Sequence, residues 1–234
     1  MTTHSPILVT GANKRGGLAI CQALVAQGHP VIALYRESPG GLVDLPNVDL
    51  LQADLALRDS RSALIERIKA TYPALRGIVH NASLWLEDSL DNLQQMLQVH
   101  VEAPYQLNEA LTPLLLQVER ADIIHVCDDT ASQGTKNHIA YAASKAALFN
   151  MTLSFAEKLA PSIRVNAISP GLLLLKEGSD AEYRSKTLRK ALLEFEPGNA
   201  PLVEAVLFLL NSSYNTGNNI VINGGRHLKR HTPK

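Results

Sequence analysis

The chain has 234 residues, with 22 basic and 22 acidic side chains and a formal net charge of zero. This length suits one domain, 1–234, with a sizeable core, and the balanced charge gives no sign of a nucleic-acid partner. Cys21 and Cys127 are too few for a disulfide framework or a zinc site, so we expect buried thiols and no metal. The sequence contains neither a membrane-spanning apolar stretch nor a signal peptide, which predicts a cytoplasmic protein with no membrane partner.

Short β-branched runs alternate with longer helical patterns along the chain. Seven strands are predicted, at 7–10, 31–35, 48–51, 78–80, 123–126, 163–168 and 219–222. Helices are predicted at 18–27, 60–70, 90–101, 105–118 and 139–159. Because the strands are continuously apolar, we expect a parallel sheet covered on both faces. The alternation predicts an α/β fold, a single-domain Rossmann-type doubly wound sheet of about seven strands.

Two segments have no regular pattern. The stretch 176–199 follows the sixth strand, so it projects from the carboxyl edge of the sheet, where ligands bind in such folds. It is either a substrate-covering lid or an inert surface excursion. The basic run 226–231 near the C-terminus is expected to be a solvated tail.

A glycine-rich turn joins the first strand to the first helix. Its glycines let the backbone turn tightly and approach a pyrophosphate, and the helix that follows offers unpaired N–H groups to that anion. The candidate cofactor ligands in this turn are Gly11, Asn13, Lys14, Arg15 and Gly17.

The end of the second strand bears on the choice of cofactor. The strand ends in Tyr35-Arg36, and an arginine at this point can bind a 2′-phosphate, which favours NADP(H) over NAD(H). Glu37 complicates this interpretation because its carboxylate would repel the phosphate if it turned inward, and Arg36 could be an ordinary exposed cation. After the third strand, Asp54-Leu55 either borders the adenine or caps a helix.

Tyr141 and Lys145 form a Tyr-x-x-x-Lys pair in the helical pattern after the fifth strand. Positions i and i+4 share one helix face, so the hydroxyl and the ammonium point the same way. A nearby ammonium stabilises a phenolate, and we expect it to lower the tyrosine pKa and make Tyr141 a proton donor.

Over essentially its whole length the chain resembles the short-chain dehydrogenase/reductase family. The matching marks, in chain order, are the turn from Thr10-Gly11 to Gly17, Asn81-Ala82, Tyr141 with Lys145, Pro170-Gly171 and Asn223-Gly224-Gly225. The resemblance implies that Asn81-Ala82 supports the central sheet and the cofactor pocket. It also implies that Tyr141 donates a proton, that Lys145 holds the nicotinamide ribose, and that Pro170-Gly171 lies near the nicotinamide amide.

Three positions depart from the family pattern. Arg15 replaces a glycine, His100 replaces an asparagine, and Asp128 stands thirteen residues before Tyr141, where a catalytic serine is usual. Arg15 and Asp128 together resemble the pteridine reductases. That branch implies reduction of a dihydropterin with NADPH, a weaker activity on dihydrofolate, and a homotetramer.

The chemistry of a dihydropterin agrees with this resemblance. Reduction of its C=N bond needs hydride at carbon and a proton at nitrogen, and Asp128 beside Tyr141 could join a proton relay. Arg15 could contact both cofactor and pterin, Ser83 could bond either one, and Trp85 could stack on the pterin. Each has a structural alternative: Asp128 as a loop cap, Ser83 as a turn residue and Trp85 in a core or an interface. His100 has either a catalytic part or only a buried hydrogen-bonded one.

Two other functions remain open at this point. A short-chain reductase for carbonyl substrates would use a hydroxyl where this chain has Asp128, and an ionised carboxylate is a poor donor to an oxyanion. A non-catalytic NADP(H) sensor would have no need of Tyr141 and Lys145.

Overall fold

Seven short apolar runs form one sheet in the computed structural model, which describes residues 5–229. Residues 1–4 and 230–234 of the predicted domain lie outside the described residues. The strand order is β3-β2-β1-β4-β5-β6-β7, and all six pairings are parallel. This confirms the predicted doubly wound sheet. The strands are β1 (Ile7–Thr10), β2 (Val31–Tyr35), β3 (Val48–Gln52), β4 (Gly77–His80), β5 (Ala121–Val126), β6 (Ile163–Pro170) and β7 (Asn219–Ile222).

Helices cover both faces of the sheet. They are α1 (Arg15–Ala26), α2 (Arg58–Thr71), α3 (Leu90–Leu97), α4 (Ala103–Leu115), α5 (Ile139–Leu159), α6 (Ala181–Leu188) and α7 (Ala200–Asn211). Because successive strand residues point to opposite faces, Leu8 packs with α2, α4 and α5, whereas Ile7 and Val9 pack with α1 and α7. Among residues 5–229, the longest and most apolar helices still fall short of what crossing a membrane requires.

The helices differ from the predicted set in three places. Helix α6 lies within 176–199, so the expectation that this stretch has no regular structure is wrong for its middle part. Helix α7 was not predicted, because its run of apolar residues shows no clear polar face in the sequence. In the fold that run packs against the sheet through Leu202, Val206 and Leu209. Between α3 and α4, a π-helical turn at Gln98–Glu102 makes the two predicted helices nearly continuous.

The reversal of strand order between β1 and β4 brings the glycine-rich turn against the segment after β4. Gly11 has a φ of 62°, and a Cβ there would lie 2.7 Å from the Cα of Ala82. The Asn81 side-chain amide donates to the Gly11 carbonyl at 3.0 Å. The turn therefore needs a glycine at position 11, and the Asn81 amide holds its shape.

A buried ion cluster joins the amino ends of the central strands. Asp122 in β5 is 1% exposed and pairs with Arg76, at 2.5 Å, and with Arg164 in β6. Burial raises the pKa of Asp122, against the opposing charges of the two arginines. Removal of one member of such a cluster leaves uncompensated charge in a buried place.

The Asp122→Ala variant should therefore lose about 3–5 kcal/mol of unfolding free energy, measured by urea denaturation. The matched control is Glu119→Ala, which removes an exposed carboxylate two residues before β5 and should change stability by less than about 0.5 kcal/mol. A loss below about 1 kcal/mol for Asp122→Ala would show that the cluster does not stabilise the sheet.

Candidate active site

A cavity of about 550 Å³ opens at the carboxyl edge of the sheet, a volume typical of small-molecule sites. Its walls come from the segments after β4, β5, β6 and β7, as expected for a parallel sheet of this kind. Four of the predicted site residues line it: Trp85, Asp128, Tyr141 and Gly171.

Asp128 uses its two carboxylate oxygens for different contacts. One oxygen accepts hydrogen bonds from the backbone N–H and the hydroxyl of Thr130, at 2.9 and 2.7 Å. The other accepts a hydrogen bond from the Tyr141 hydroxyl at 3.2 Å. Asp128 is thus a loop cap and a partner of Tyr141 at once, so the two interpretations drawn from the sequence do not exclude each other.

Lys145 is buried beneath Tyr141. Its Nζ donates to the Val126 carbonyl at 2.9 Å and lies 5.8 Å from the centre of the Tyr141 ring. The expectation that Lys145 lowers the pKa of Tyr141 is wrong for this arrangement. Burial raises that pKa, and the charge of Asp128 raises it further, because the carboxylate contacts the phenol directly. Tyr141 is therefore a protonated phenol at neutral pH.

His100 lies in the π-helical turn and is 1% exposed. The Leu84 N–H donates to its Nε2 at 3.0 Å, so Nδ1 carries the proton and donates to the Ser144 hydroxyl at 2.8 Å. Burial lowers the pKa of His100, which keeps the ring neutral. The Ser83 hydroxyl lies 3.1 Å from the same Nε2, and its proximity to Tyr141 acts to lower the pKa of that phenol. The ring thus holds Ser83 beside Tyr141.

The glycine-rich turn presents an open helix end with positive side chains around it. Within residues 5–229 no side chain caps the first turn of α1, and Lys14 and Arg15 are exposed there. Arg15 has a φ of 48°, the left-handed conformation that suits the glycine usual in the family. Asn13 donates to the Ser38 carbonyl at 2.9 Å, and Gly17 has no space for a Cβ. These features fit the pyrophosphate of a dinucleotide.

Residues at the ends of β2 and β3 lie at the same carboxyl edge of the sheet as this turn. Tyr35 ends β2, and the exposed Arg36 guanidinium pairs with the carboxylate of Glu37. The Asp54 carboxylate accepts the Ala56 N–H at 2.9 Å, and Leu55 is buried. The interpretation of Asp54 as a helix cap is wrong, because α2 begins four residues later, at Arg58.

Trp85 forms one wall of the cavity. It is 57% exposed, and its ring packs against the His138 ring at a centroid distance of 4.3 Å and an interplanar angle of 44°. Asp88 in the same loop accepts the backbone N–H groups of Ile139 and Ala140, which caps α5. The loop after β4 is therefore tied to the start of α5, and Trp85 keeps one exposed face rather than lying in the core.

Stretch 176–199, which contains α6, forms part of the cavity wall. Its lining residues are Thr187, Leu188, Lys190, Ala191, Leu193, Phe195 and Pro197. The Leu192 and Leu193 N–H groups donate to the Gly224 carbonyl, at 2.9 and 3.1 Å. The stretch thus contributes to the wall of the site, while its movement as a lid stays a prediction. Nearby, the Gly171 N–H after Pro170 donates to the Ile222 carbonyl at 3.0 Å.

Three charged residues of the cavity were not predicted: Asp129, Lys190 and Arg226. Asp129 is 5% exposed, and its Oδ2 lies 3.6 Å from the Nε of Arg226. Burial raises the pKa of Asp129 to about 6 against the charge of Arg226, and the nearby charge of Asp128 contributes to the rise. The expectation of a solvated basic tail is wrong for Arg226 and for Lys229, which pairs with Glu194 at 2.9 Å. Arg230 and His231 lie outside the described residues.

Comparisons with known proteins agree with this geometry. The family model for short chain dehydrogenases matches residues 5–181, and the chain belongs to the short-chain dehydrogenase/reductase family. A dihydromonapterin reductase from Citrobacter koseri is 46% identical over 233 residues, which cover 96% of this chain and 97% of the relative. A dihydromonapterin reductase from Escherichia coli strain K12 is 43% identical over 237 residues, which cover 97% of this chain and 99% of that relative. The predicted resemblance to the pteridine reductases is confirmed.

Among solved structures, the Pseudomonas aeruginosa RhlG/NADP active-site complex superposes with a TM-score of 0.88 at 22% identity. The alignment covers 96% of this chain and 97% of that one. This likeness shows the shared fold.

The raised pKa of Asp129 predicts how stability depends on pH. A carboxyl whose pKa rises on folding favours the folded state below its ordinary value of 3.8, and this contribution is lost as pH rises through about 6. Asp129→Asn stays neutral throughout. Relative to the wild type, it should therefore gain about 1–3 kcal/mol of unfolding free energy between pH 4 and pH 8. Urea denaturation of both proteins at the two pH values measures this, and a difference that does not change with pH would contradict it.

Proposed function

We propose that this chain reduces a dihydropterin, dihydromonapterin, to its tetrahydro form with NADPH, and that it reduces dihydrofolate more weakly. The observation that carries the proposal is the hydrogen bond from Tyr141 to the Asp128 carboxylate at the wall of the cavity. The names of the two relatives support the same substrate class.

The reaction needs a proton at the ring nitrogen of a C=N bond, and NADPH, when bound, supplies the hydride for the carbon. Tyr141 is protonated at neutral pH and is the proton donor. Asp128 accepts from the phenol and lines the cavity, so it passes a proton from water to the phenol oxygen after each turnover. Reduction of a ketone would instead need a second hydroxyl donor to the developing alkoxide, and an ionised Asp128 cannot donate.

The described residues fit NADP(H). The open end of α1 with Lys14 and Arg15 would hold the pyrophosphate, and Arg36 would hold the 2′-phosphate once Glu37 releases it. Lys145 uses one of its three N–H groups on Val126, which leaves two for the nicotinamide ribose. Asn81 shapes the pocket through its side-chain amide, which donates to Gly11, and Gly171 does so through its backbone N–H, which donates to Ile222.

The substrate ring would lie near the same groups. Trp85 offers its exposed face for stacking, and Ser83, held by His100, offers a hydroxyl beside Tyr141. Arg15 would contact both cofactor and pterin. His100 acts as a positioning residue, because its hydrogen bonds place Ser83 and the start of α5.

We also propose a homotetramer that works in the cytoplasm. Large apolar side chains are exposed on the outer faces of the helices and at the edge strand: Tyr105 and Leu116 by α4, Leu153 on α5, Phe208 on α7 and Val221 on β7. Exposed apolar residues on adjoining elements are typical of surfaces that bind other subunits.

Cofactor preference is tested at Arg36. Loss of a charge-assisted contact to a phosphate should lower kcat/KM for NADPH roughly tenfold to a hundredfold in Arg36→Ala, with little change for NADH. The matched variant Glu37→Gln removes the competing partner of Arg36, so kcat/KM for NADPH should rise. Equal use of NADH and NADPH by the wild type would refute the preference.

The proton pathway is tested by Asp128→Asn, which keeps the shape but removes the titratable group. NADPH oxidation with dihydromonapterin should fall roughly a hundredfold to ten-thousandfold, as it should in Tyr141→Phe. NADPH binding, followed by fluorescence titration, should persist in both variants.

The same assay separates the alternative functions. Full activity of Asp128→Asn across pH would make Asp128 a loop cap only. A wild type that reduces a 3-oxoacyl thioester but no pterin would be a carbonyl reductase. Binding of NADPH without turnover of any substrate would indicate a sensor.

A further inference from the structure

The mechanism above leaves one buried carboxyl of the cavity unused. Asp129 is the next residue after Asp128 and also lines the cavity; the two carboxyl groups interact, but each has further neighbours of its own. Asp129 faces Arg226 and the Asn223 amide, whereas Asp128 faces Tyr141 and Thr130. A charged group 5% exposed is costly unless it is paired, and Arg226 provides the pair.

Arg226 belongs to the segment that follows β7, and contacts on both sides of it fix its backbone. Gly225 has a φ of 76°, and a Cβ there would lie 2.9 Å from Leu192, so the chain passes tightly under stretch 176–199. On the other side of Arg226, Lys229 pairs with Glu194 of the same stretch and anchors the end of the segment after β7. The backbone at Arg226 is thereby fixed at the edge of the cavity.

The guanidinium of Arg226 keeps most of its hydrogen-bonding capacity. Its side chain is 40% exposed and lines the cavity. Within residues 5–229, its one charged contact is with Asp129, at 3.6 Å, which is longer than a hydrogen bond. The pair therefore presents free N–H donors beside carboxylate acceptors.

The reaction itself determines which part of a pterin would reach this pair. In a dihydropterin, the carbon of the reduced C=N bond carries the side chain of the molecule. When that bond lies at Tyr141 and Asp128, the side chain starts beside Asp128, and Asp129 and Arg226 are among the polar groups of the adjoining wall. This step rests on the proposed function.

We propose that Asp129 and Arg226 form a subsite that binds the hydroxyl groups of a short polyhydroxyalkyl side chain on the pterin. A hydroxyl donates to the carboxylate and accepts from the guanidinium, so adjacent hydroxyls satisfy both partners. An apolar side chain would bury the pair without replacing the hydrogen bonds that water makes to it. An anionic side chain would be repelled by the charge of Asp129.

The test compares two substrates that share a ring, dihydromonapterin with its trihydroxypropyl group and 6-methyl-7,8-dihydropterin without hydroxyls. In Asp129→Ala and Arg226→Gln, kcat/KM for dihydromonapterin should fall roughly tenfold to a hundredfold. For the methyl compound it should change less than about twofold. Glu119→Ala, at the opposite edge of the sheet, is the control and should leave both values unchanged.

The outcomes separate this subsite from the proposed function. Equal losses on both substrates, or no loss on either, overturn the subsite while leaving pterin reduction in place. A wild type that reduces neither pterin overturns the proposed function, and the subsite with it. If Asp129→Ala does not fold, Arg226→Gln decides the question, because Arg226 is partly exposed and outside the core.

Discussion

The site depends on the hydrogen bonds that join the end of β1 to the end of β4. The Thr10 hydroxyl accepts the backbone N–H groups of Asn81 and Ala82, each at 3.0 Å, and the Asn81 amide donates back to the Gly11 carbonyl. One end of this connection is the glycine-rich turn, and the other leads into the loop of Ser83 and Trp85. A shift at this point would move the cofactor end and the substrate end relative to each other.

Burial explains the charge states around Tyr141. His100 is neutral and Tyr141 is protonated, because the charged form of each would lose its hydration in the interior. A neutral ring can accept the Leu84 N–H and donate to Ser144 at the same time, which a charged one could not. Asp128 lines the cavity, where one carboxylate oxygen binds Thr130 and the other accepts the Tyr141 hydroxyl. The segment after β5 thus places the Asp128 carboxylate against both Thr130 and the Tyr141 phenol in the first turn of α5.

The C-terminal segment links two parts of the protein that are far apart in sequence. Gly224 binds the backbone of stretch 176–199, Lys229 pairs with Glu194, and Arg226 reaches Asp129 in the cavity. Any change in the position of that stretch would therefore be transmitted to the charged pair. This gives the end of the chain a part in shaping the substrate side of the site.

Local patterns in the sequence were sufficient to predict the strands, several of the helices and the family. The bounds of α5 and β7 were predicted correctly, because continuous apolar runs between turn residues are set by local propensity and burial. The family resemblance, which places a catalytic residue thirteen positions before the tyrosine, indicated that Asp128 lies beside Tyr141, and the two side chains are hydrogen-bonded. Motif positions also indicated the cofactor turn and the pterin reductase resemblance.

Only the tertiary structure decided the electrostatics and the long-range contacts. The pKa of Tyr141 rises because burial and Asp128 outweigh the opposing effect of Ser83, while the Lys145 ammonium is directed at the Val126 carbonyl. Helix α7 owes its position to packing against the sheet. Arg226 pairs with Asp129 although the two are far apart in the chain. A sequence gives the spacing of residues along the backbone, whereas desolvation and ion pairing depend on distances through space, which exist only once the chain has folded.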